Sequence, residues 1–302
     1  MERILETILT AQFGFMILRV TTPILFAALA ALISIQVGVI NVGLEGMMLM
    51  GALTGVIISA FTGSALLGFI LSLVVGIISG LILAYLCIKM ELAAILAGLV
   101  MNMLGSGGTI FVLHLLSGDK GISSSLESKI LPNIKLPFIS KIPIVGEILS
   151  GHHVLTYVSI LSVVLIYYLI YKTKLGIRIR AVGQNPQAAK TAGINVTRVQ
   201  YIALAISGLL ASLGGVFLSM GYVSWFSQNM SAGRGFIGLA AQTMGMSTPL
   251  GTFLASLVFG IASALSNVLT INIPPQFIQM IPYVATIVGL VIYSRKSKQQ
   301  LL

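Results

Sequence analysis

KTKLGIRIRAVGQNPQAAKTAGINVTR, residues 172–198, separates two apolar runs, 149–171 and 199–222, each long enough to cross a bilayer. Six bases lie in it (Lys172, Lys174, Arg178, Arg180, Lys190 and Arg198) and no acid interrupts them. Basic residues next to membrane spans collect on the cytoplasmic side, which makes this segment a cytoplasmic loop between two transmembrane helices. Its middle reads as a short, bounded helix. Asn185 suits the N-cap, Pro186 the first helical position, Ala188 and Ala189 favour helix, and Gly193 can close it. A capped helix of about two turns, held out from a membrane protein, suits docking to a soluble partner.

Outward from this loop the whole chain is apolar. Of 302 residues, 57% are hydrophobic and 8% charged, with a mean hydropathy of +1.05. Soluble domains carry roughly 25% charged residues, so the reading is an all-α, polytopic membrane protein. Charge-poor runs give spans near 14–37, 43–62, 64–88, 92–117, 149–171, 199–222, 231–247, 249–271 and 276–294. That is about nine crossings, with eight to ten defensible. The 231–247 run is short and rich in glycine, so it reads equally as a broken or re-entrant helix. Residues 1–302 form a single transmembrane domain with no room for a separate ATPase or binding domain. The first apolar segment, from about Phe13, is too long for a signal-peptide core and is expected to persist as a span.

Charge distribution sets the topology. The net charge is +10, but the 172–198 loop and the tail bases Arg295, Lys296 and Lys298 hold nine of the seventeen bases. That distribution matches loops facing anionic lipid, not a nucleic-acid surface. The 119–147 connection has three prolines and mixed charge and reads as an external loop. Loop 172–198 and the C-terminus are then both cytoplasmic. Nine spans place the N-terminus outside, and a tenth would place it inside. Cys87 is the single cysteine, so no internal disulfide forms.

Ser72–Leu81 matches Ser256–Leu265 at seven of ten positions, and Ser64–Gly68 parallels Ser247–Gly251 just upstream. In this topology the two copies run in opposite directions. An inverted internal repeat of this kind places the solute path between the halves, near the midplane. Gly76 and Gly80 form a G-x-x-x-G, a spacing that lets helix backbones approach in lipid.

Five polar residues of the spans are candidates for a pathway or gate: Asn41, Glu45, Asn102, Arg234 and Gln242. Glu45 stands where an apolar span begins, and a carboxylate in a membrane is costly enough to suggest function. A structural reading stands beside it, with Asn41 as N-cap and Glu45 favoured by the helix macrodipole. Arg234 occupies roughly the equivalent place in the second repeat, where it could pair with Glu45, flank a pathway or snorkel. Asn102 and Gln242 suit interhelical hydrogen bonds as well as solute contact. Trp225 and Phe226 fit an interfacial aromatic belt. Nothing points to catalysis or metal binding: the chain has no phosphate-binding G-x-x-x-x-G-K-[ST], no H-E-x-x-H and no G-x-S-x-G. One carboxylate in the spans is too few for a proton or sodium relay.

Leu175-Gly176, Arg180 to Pro186, Ala188-Ala189 and Gly193-Ile194 together resemble the coupling loop of ABC-importer permeases. The resemblance is to the family that carries branched-chain amino acids, simple sugars and nucleosides. Asn41-Val-Gly-Leu-Glu-Gly-Met-Met-Leu-Met-Gly51 resembles the nucleoside and sugar members most. It implies a permease subunit with no enzyme activity and no cofactor of its own, ATP being bound by a partner ATPase subunit. Arg180, Gly183, Asn185, Pro186, Ala188, Ala189 and Gly193 would couple to that ATPase. It also implies an external substrate-binding lipoprotein or periplasmic protein and a second, related permease in a heterodimer, a homodimer being the alternative. The site is the bacterial inner membrane, and the cargo a small neutral solute. A branched-chain amino acid permease and a stand-alone secondary transporter are the competing readings.

Overall fold

The computed structural model describes residues 10–119, 121–134 and 145–269. Apolar stretches with caps at their ends become helices in the expected order. These are α1 (Ala11–Gln36), α2 (Leu44–Thr62), α3 (Ala65–Ala84), α4 (Ala94–Ser117), α5 (Val145–Leu149) and α6 (Val154–Lys172). After them come α7 (Lys174–Gln184), α8 (Pro186–Thr191), α9 (Val196–Phe217), α10 (Arg234–Met244) and α11 (Pro249–Leu269). Single π-turns extend α3 through Tyr85–Lys89 and α9 through Leu218–Tyr222.

Seven of these helices are long and apolar enough to span a membrane. The expected count of about nine differs for two reasons. The 231–247 run is only the 11-residue half-helix α10, about 16 Å long. The 276–294 candidate and the basic tail lie outside the described residues.

Helices α1, α2 and α9 form the buried centre, with α3, α4, α6, α10 and α11 packed around them. Because lipid is as apolar as leucine, close packing and polar bonds hold such helices together. Three hydroxyls of α9 supply those bonds. Ser207 donates to the Ala30 carbonyl (2.7 Å), Ser212 to Ser72 (2.7 Å) and Ser219 to Ala52 (2.9 Å). The G-x-x-x-G spacing has its packing role: Gly76 and Gly80 of α3 lie directly on Gly208 of α9.

Consecutive spans alternate in direction, so the bundle has two ends. One carries α7 and α8. There the end of α1 meets the end of α7, and Gln36 Nε2 donates to the Ser247 carbonyl (2.8 Å) just before α11. At the other end, residues 121–134 lie against the segment after α9. Ser123 N donates to the Phe226 carbonyl, and Phe226 N donates back to Ser123 Oγ, both at 2.9 Å. Phe226 is fully buried among Leu49, Leu53, Val56 and Leu113. It is core, not aromatic belt, because this loop pairing folds it inward, while Trp225 stays exposed.

α3 runs toward the α7-bearing end and α11 away from it, so the repeat is inverted. Its register is visible in the hydrogen bonds. Ser64 Oγ accepts from Leu67 N at the start of α3, and Thr248 Oγ1 accepts from Gly251 N at the start of α11. Farther along, Ser72 Oγ donates to the Gly68 carbonyl and Ser256 Oγ to Thr252, both at 2.7 Å. Ser64 therefore corresponds to Thr248, one residue later than the Ser64–Ser247 match suggests. At this register Glu45 falls opposite Asn229, and Arg234 falls opposite Met50. The repeat copy of α2 begins late because Asn229, Ala232 and Gly233 all adopt positive φ (56°, 45° and 77°), which no helix can include.

Candidate functional site

Gly238 of α10 lies against Ala27 of α1, and Ser247 bonds Gln36 nine residues farther along each segment. The half-helix thus follows the last half of α1, and its N-terminus opens beside the helix's middle. α2 also starts deep: Gly46 packs on Met101 and Asn102, about 12 Å along α4. Two helix N-termini, each with unpaired N–H groups, therefore meet in the interior, one from each half of the repeat.

Side chains from neighbouring elements close both. Asn102 Oδ1 accepts from Gly46 N (2.8 Å), and its Nδ2 donates to the Val42 carbonyl (3.0 Å). Glu45 reaches across to α10, where Oε1 accepts from Gly233 N and Oε2 from Gly235 N, both at 2.7 Å. A carboxylate taking two N–H groups at a helix start is favoured by both hydrogen bonding and the macrodipole. A Cβ on Gly235 would come within 2.6 Å of Glu45 N, so this approach needs glycine. Arg234, between the two donors, turns its guanidinium back onto the Met230 and Ser231 carbonyls (3.2 and 3.1 Å).

Asn41 does not cap α2. Gly43 holds that position, and Asn41 Oδ1 accepts from Gly43 N (3.0 Å) in a local turn. Its Nδ2 donates to Ser207 Oγ (2.9 Å), the hydroxyl that bonds Ala30. Asn41 thus fixes the loop before α2 onto α1 and α9.

Beside it lies a cavity of about 400 Å³ between the end of α1 and α10, lined by Ser34, Ile35, Ile40, Asn41, Phe236, Leu239, Gln242 and Thr243, among others. The walls are largely apolar, with a few amides and hydroxyls. Gln242 Nε2 donates to Ser247 Oγ (2.6 Å). Ile40 and Phe236, at 43% and 44% exposure, flank a mouth open on one side. Of the five candidates, Asn41 and Gln242 line this cavity, while Glu45, Asn102 and Arg234 assemble the helix ends beside it. The sequence reading missed Phe236 and Thr243. With Leu239 and Ala240 they fall at i, i+3, i+4 and i+7, the spacing of one helix face, a signal that was present.

At the α7-bearing end the short helix forms as its caps dictate. Asn185 Oδ1 accepts from Ala188 N (3.0 Å), Pro186 begins α8, and Gly193 (φ +80°) ends it while Ile194 N donates back to the Ala189 carbonyl. Pro186, Gln187, Ala188, Lys190 and Thr191 are exposed, and Ala189 is buried at 4% exposure. α7 was not foreseen. Thr173 caps it, and Ile179 and Val182 bury one side. Gly183 faces inward, where a Cβ would overlap the Gln36 carbonyl. Arg180 stacks over Tyr171, 5.2 Å from the ring centroid. The seven loop candidates therefore divide. Pro186, Ala188 and Gly193 are exposed, Asn185 shapes α8, and Arg180, Gly183 and Ala189 fasten the loop to the bundle.

A family model described as "branched-chain amino acid transport system / permease component" matches residues 14–292. The nucleoside ABC transporter permease protein NupC of Lactococcus lactis subsp. cremoris (strain MG1363) is 31% identical over 289 residues, 92% of this chain and 90% of NupC. The guanosine ABC transporter permease protein NupQ of Bacillus subtilis (strain 168) is 34% identical over 282 residues, 89% and 87% of the two chains. Among solved structures, a chain of PsaBC from Streptococcus pneumoniae, in complex with Fab, aligns over 95% of this chain and 94% of that one. Its TM-score is 0.53 at 15% identity, a likeness of fold alone.

Proposed function

Because the chain belongs to the branched-chain amino acid transport system permease family, we propose that it is the membrane half of an ABC importer for nucleosides or simple sugars. The names of NupC and NupQ favour nucleosides as cargo. The cavity between α1 and α10 suits a neutral solute: its wall is apolar, its polar groups are uncharged, and no carboxylate lines it. Its open side needs a second wall. A second, related permease supplies it, so that the path runs between two subunits of a heterodimer.

The observation that carries this reading is α8, a helix capped at both ends whose outer face is exposed among the described residues while α7 ties it to α1. The six bases of 172–198 support a cytoplasmic setting for this end of the bundle, and the tail bases Arg295, Lys296 and Lys298 support the same side for the C-terminus. A partner ATPase docks on Pro186, Gln187, Ala188 and Lys190. It binds and hydrolyses the ATP, so this chain needs no cofactor and performs no catalysis. Closure of the ATPase pair moves α8, and α7 passes that displacement to the ends of α1 and α10 that frame the cavity. Solute reaches the opposite end from an external binding protein.

The test is purification of the tagged chain from its native membrane in mild detergent, with mass spectrometry of what accompanies it. An ATPase and a second permease are expected, and Ala188→Arg should release the ATPase while keeping the permease. Gly183 is unsuitable for this test, since any side chain there would strike α1. Gradient-driven nucleoside uptake by the chain alone in liposomes, unaffected by Ala188→Arg, would overturn the reading.

A further inference from the structure

Where α6 passes the start of α11, at the α7-bearing end, a groove of about 210 Å³ is lined by Tyr167, Tyr171, Thr248, Pro249 and Leu250. The two tyrosine rings, one turn apart on α6, meet at 5.1 Å between centroids with a 48° tilt. Arg180 lies over Tyr171, and its buried Nε has no hydrogen-bond partner among the described residues. Arg180 as a whole stays partly exposed beside the groove, and a guanidinium left without a carboxylate favours an anion.

The sequence supplies no acid to complete it. No Asp or Glu follows Glu147, and Lys172, Lys174 and Arg178 add three more bases beside Arg180. Among the described residues, only Glu91, in the turn between α3 and α4, brings an acid to this end of the bundle. Toward the other end the groove continues as two apolar faces. Leu161, Val164 and Leu165 of α6 are 54–60% exposed, and Leu250, Leu254 and Val258 of α11 are 52–63% exposed.

We propose that this groove binds one anionic phospholipid, with its phosphate against Arg180 and the tyrosine hydroxyls and its acyl chains along α6 and α11. Guanidinium matches phosphate with paired, directed N–H donors, and basic pockets between transmembrane helices are suited to anionic headgroups. A free phosphate could satisfy Arg180 but would leave both apolar faces unused, which is why a lipid fits better. Bound there, the lipid ties α6, α7 and α11 together beneath the coupling helix.

The test uses the full chain with whatever subunits co-purify, titrated with phosphatidylglycerol or phosphatidylcholine and read by native mass spectrometry. Wild type should retain phosphatidylglycerol about fivefold over phosphatidylcholine or better. Arg180→Gln should reduce that preference to below about twofold, Tyr171→Leu should weaken retention of both lipids, and Arg198→Gln, exposed at the start of α9, should change neither. Two variants on different helices, both checked for monodispersity, guard against misfolding of one. Equal retention of the two lipids by wild type, or unchanged binding in both groove variants, overturns the proposal. Displacement of phosphatidylglycerol by excess inorganic phosphate would assign the site to free phosphate and overturn the lipid reading.

Discussion

Replacing Glu45 with alanine removes the one carboxylate that closes the N-terminus of α10. Two backbone N–H groups, of Gly233 and Gly235, lose acceptors at 2.7 Å, and Glu45 is only 8% exposed, so water is a poor substitute. Net contributions of about 1.5 kcal/mol for each hydrogen bond to a charged group give a loss of about 3 kcal/mol, more if both donors stay dry. At about 2.1 cal/mol/K of unfolding entropy per residue, a chain of 302 residues should lose about 5 °C in its unfolding midpoint. The assay is thermal unfolding of the detergent-solubilised protein by near-ultraviolet circular dichroism, beside Glu127→Ala, an exposed loop control expected to match wild type. Glu45→Gln keeps one oxygen and should fall between. Hydrogen exchange should localise the effect, with the amides of 233–238 exchanging faster and those of α6 unchanged. If Glu45→Ala unfolds within a degree or so of wild type, the carboxylate does not hold the half-helix and the interior junction has been misread.

Ala188 and Ala189 should separate partner binding from folding. Ala188→Arg, on the exposed side of α8, should leave the unfolding midpoint unchanged while abolishing ATPase co-purification, whereas Ala189→Arg, buried against the bundle, should destabilise by about 2 kcal/mol or more. Asn185→Ala removes the N-cap oxygen from Ala188 N and should weaken α8 by about 1 kcal/mol, visible as faster exchange of residues 186–191. Burial, with a smaller repulsion from Arg19, holds the His153 imidazole down to about 4. A folded-state value below the unfolded 6.5 means that stability is fully present above 6.5 and is lost as pH falls toward 4. Thermal midpoints measured across that window should decline, and His153→Asn, which keeps an acceptor for Leu155 N, should flatten the decline.

Helix ends and faces were legible in the sequence wherever local chemistry decides them. The caps of α8 follow from Asn185, Pro186 and Gly193, and the long spans follow from runs of apolar residues whose limits shift by only a few positions. What local chemistry does not contain is who meets whom. Glu45 could be placed in the first turn of α2, but nothing in its neighbourhood says that its carboxylate crosses to a helix almost two hundred residues later. Asn41 looked like a cap because Asn is a good one, yet Ser207 offered it a better use of its amide. α7 escaped because a basic, weakly apolar segment reads as loop until Ile179 and Val182 find a bundle to bury against. Gly183 looked like a surface feature of the coupling loop for the same reason.

The contact between Gly183 and Gln36 also has a mechanical meaning. Gln36 meets the last turn of α7 through its carbonyl and holds the turn before α11 through its side-chain amide, so one residue joins three elements end to end. It follows Ile35, which lines the cavity between α1 and α10. A push on α7 of even an ångström has nowhere to dissipate locally, because the glycine leaves no compressible side chain between the two backbones. The load divides there, one share travelling up α1 and the other into α10 and α11. The stiffness of the whole lever is therefore set by the smallest residue in it.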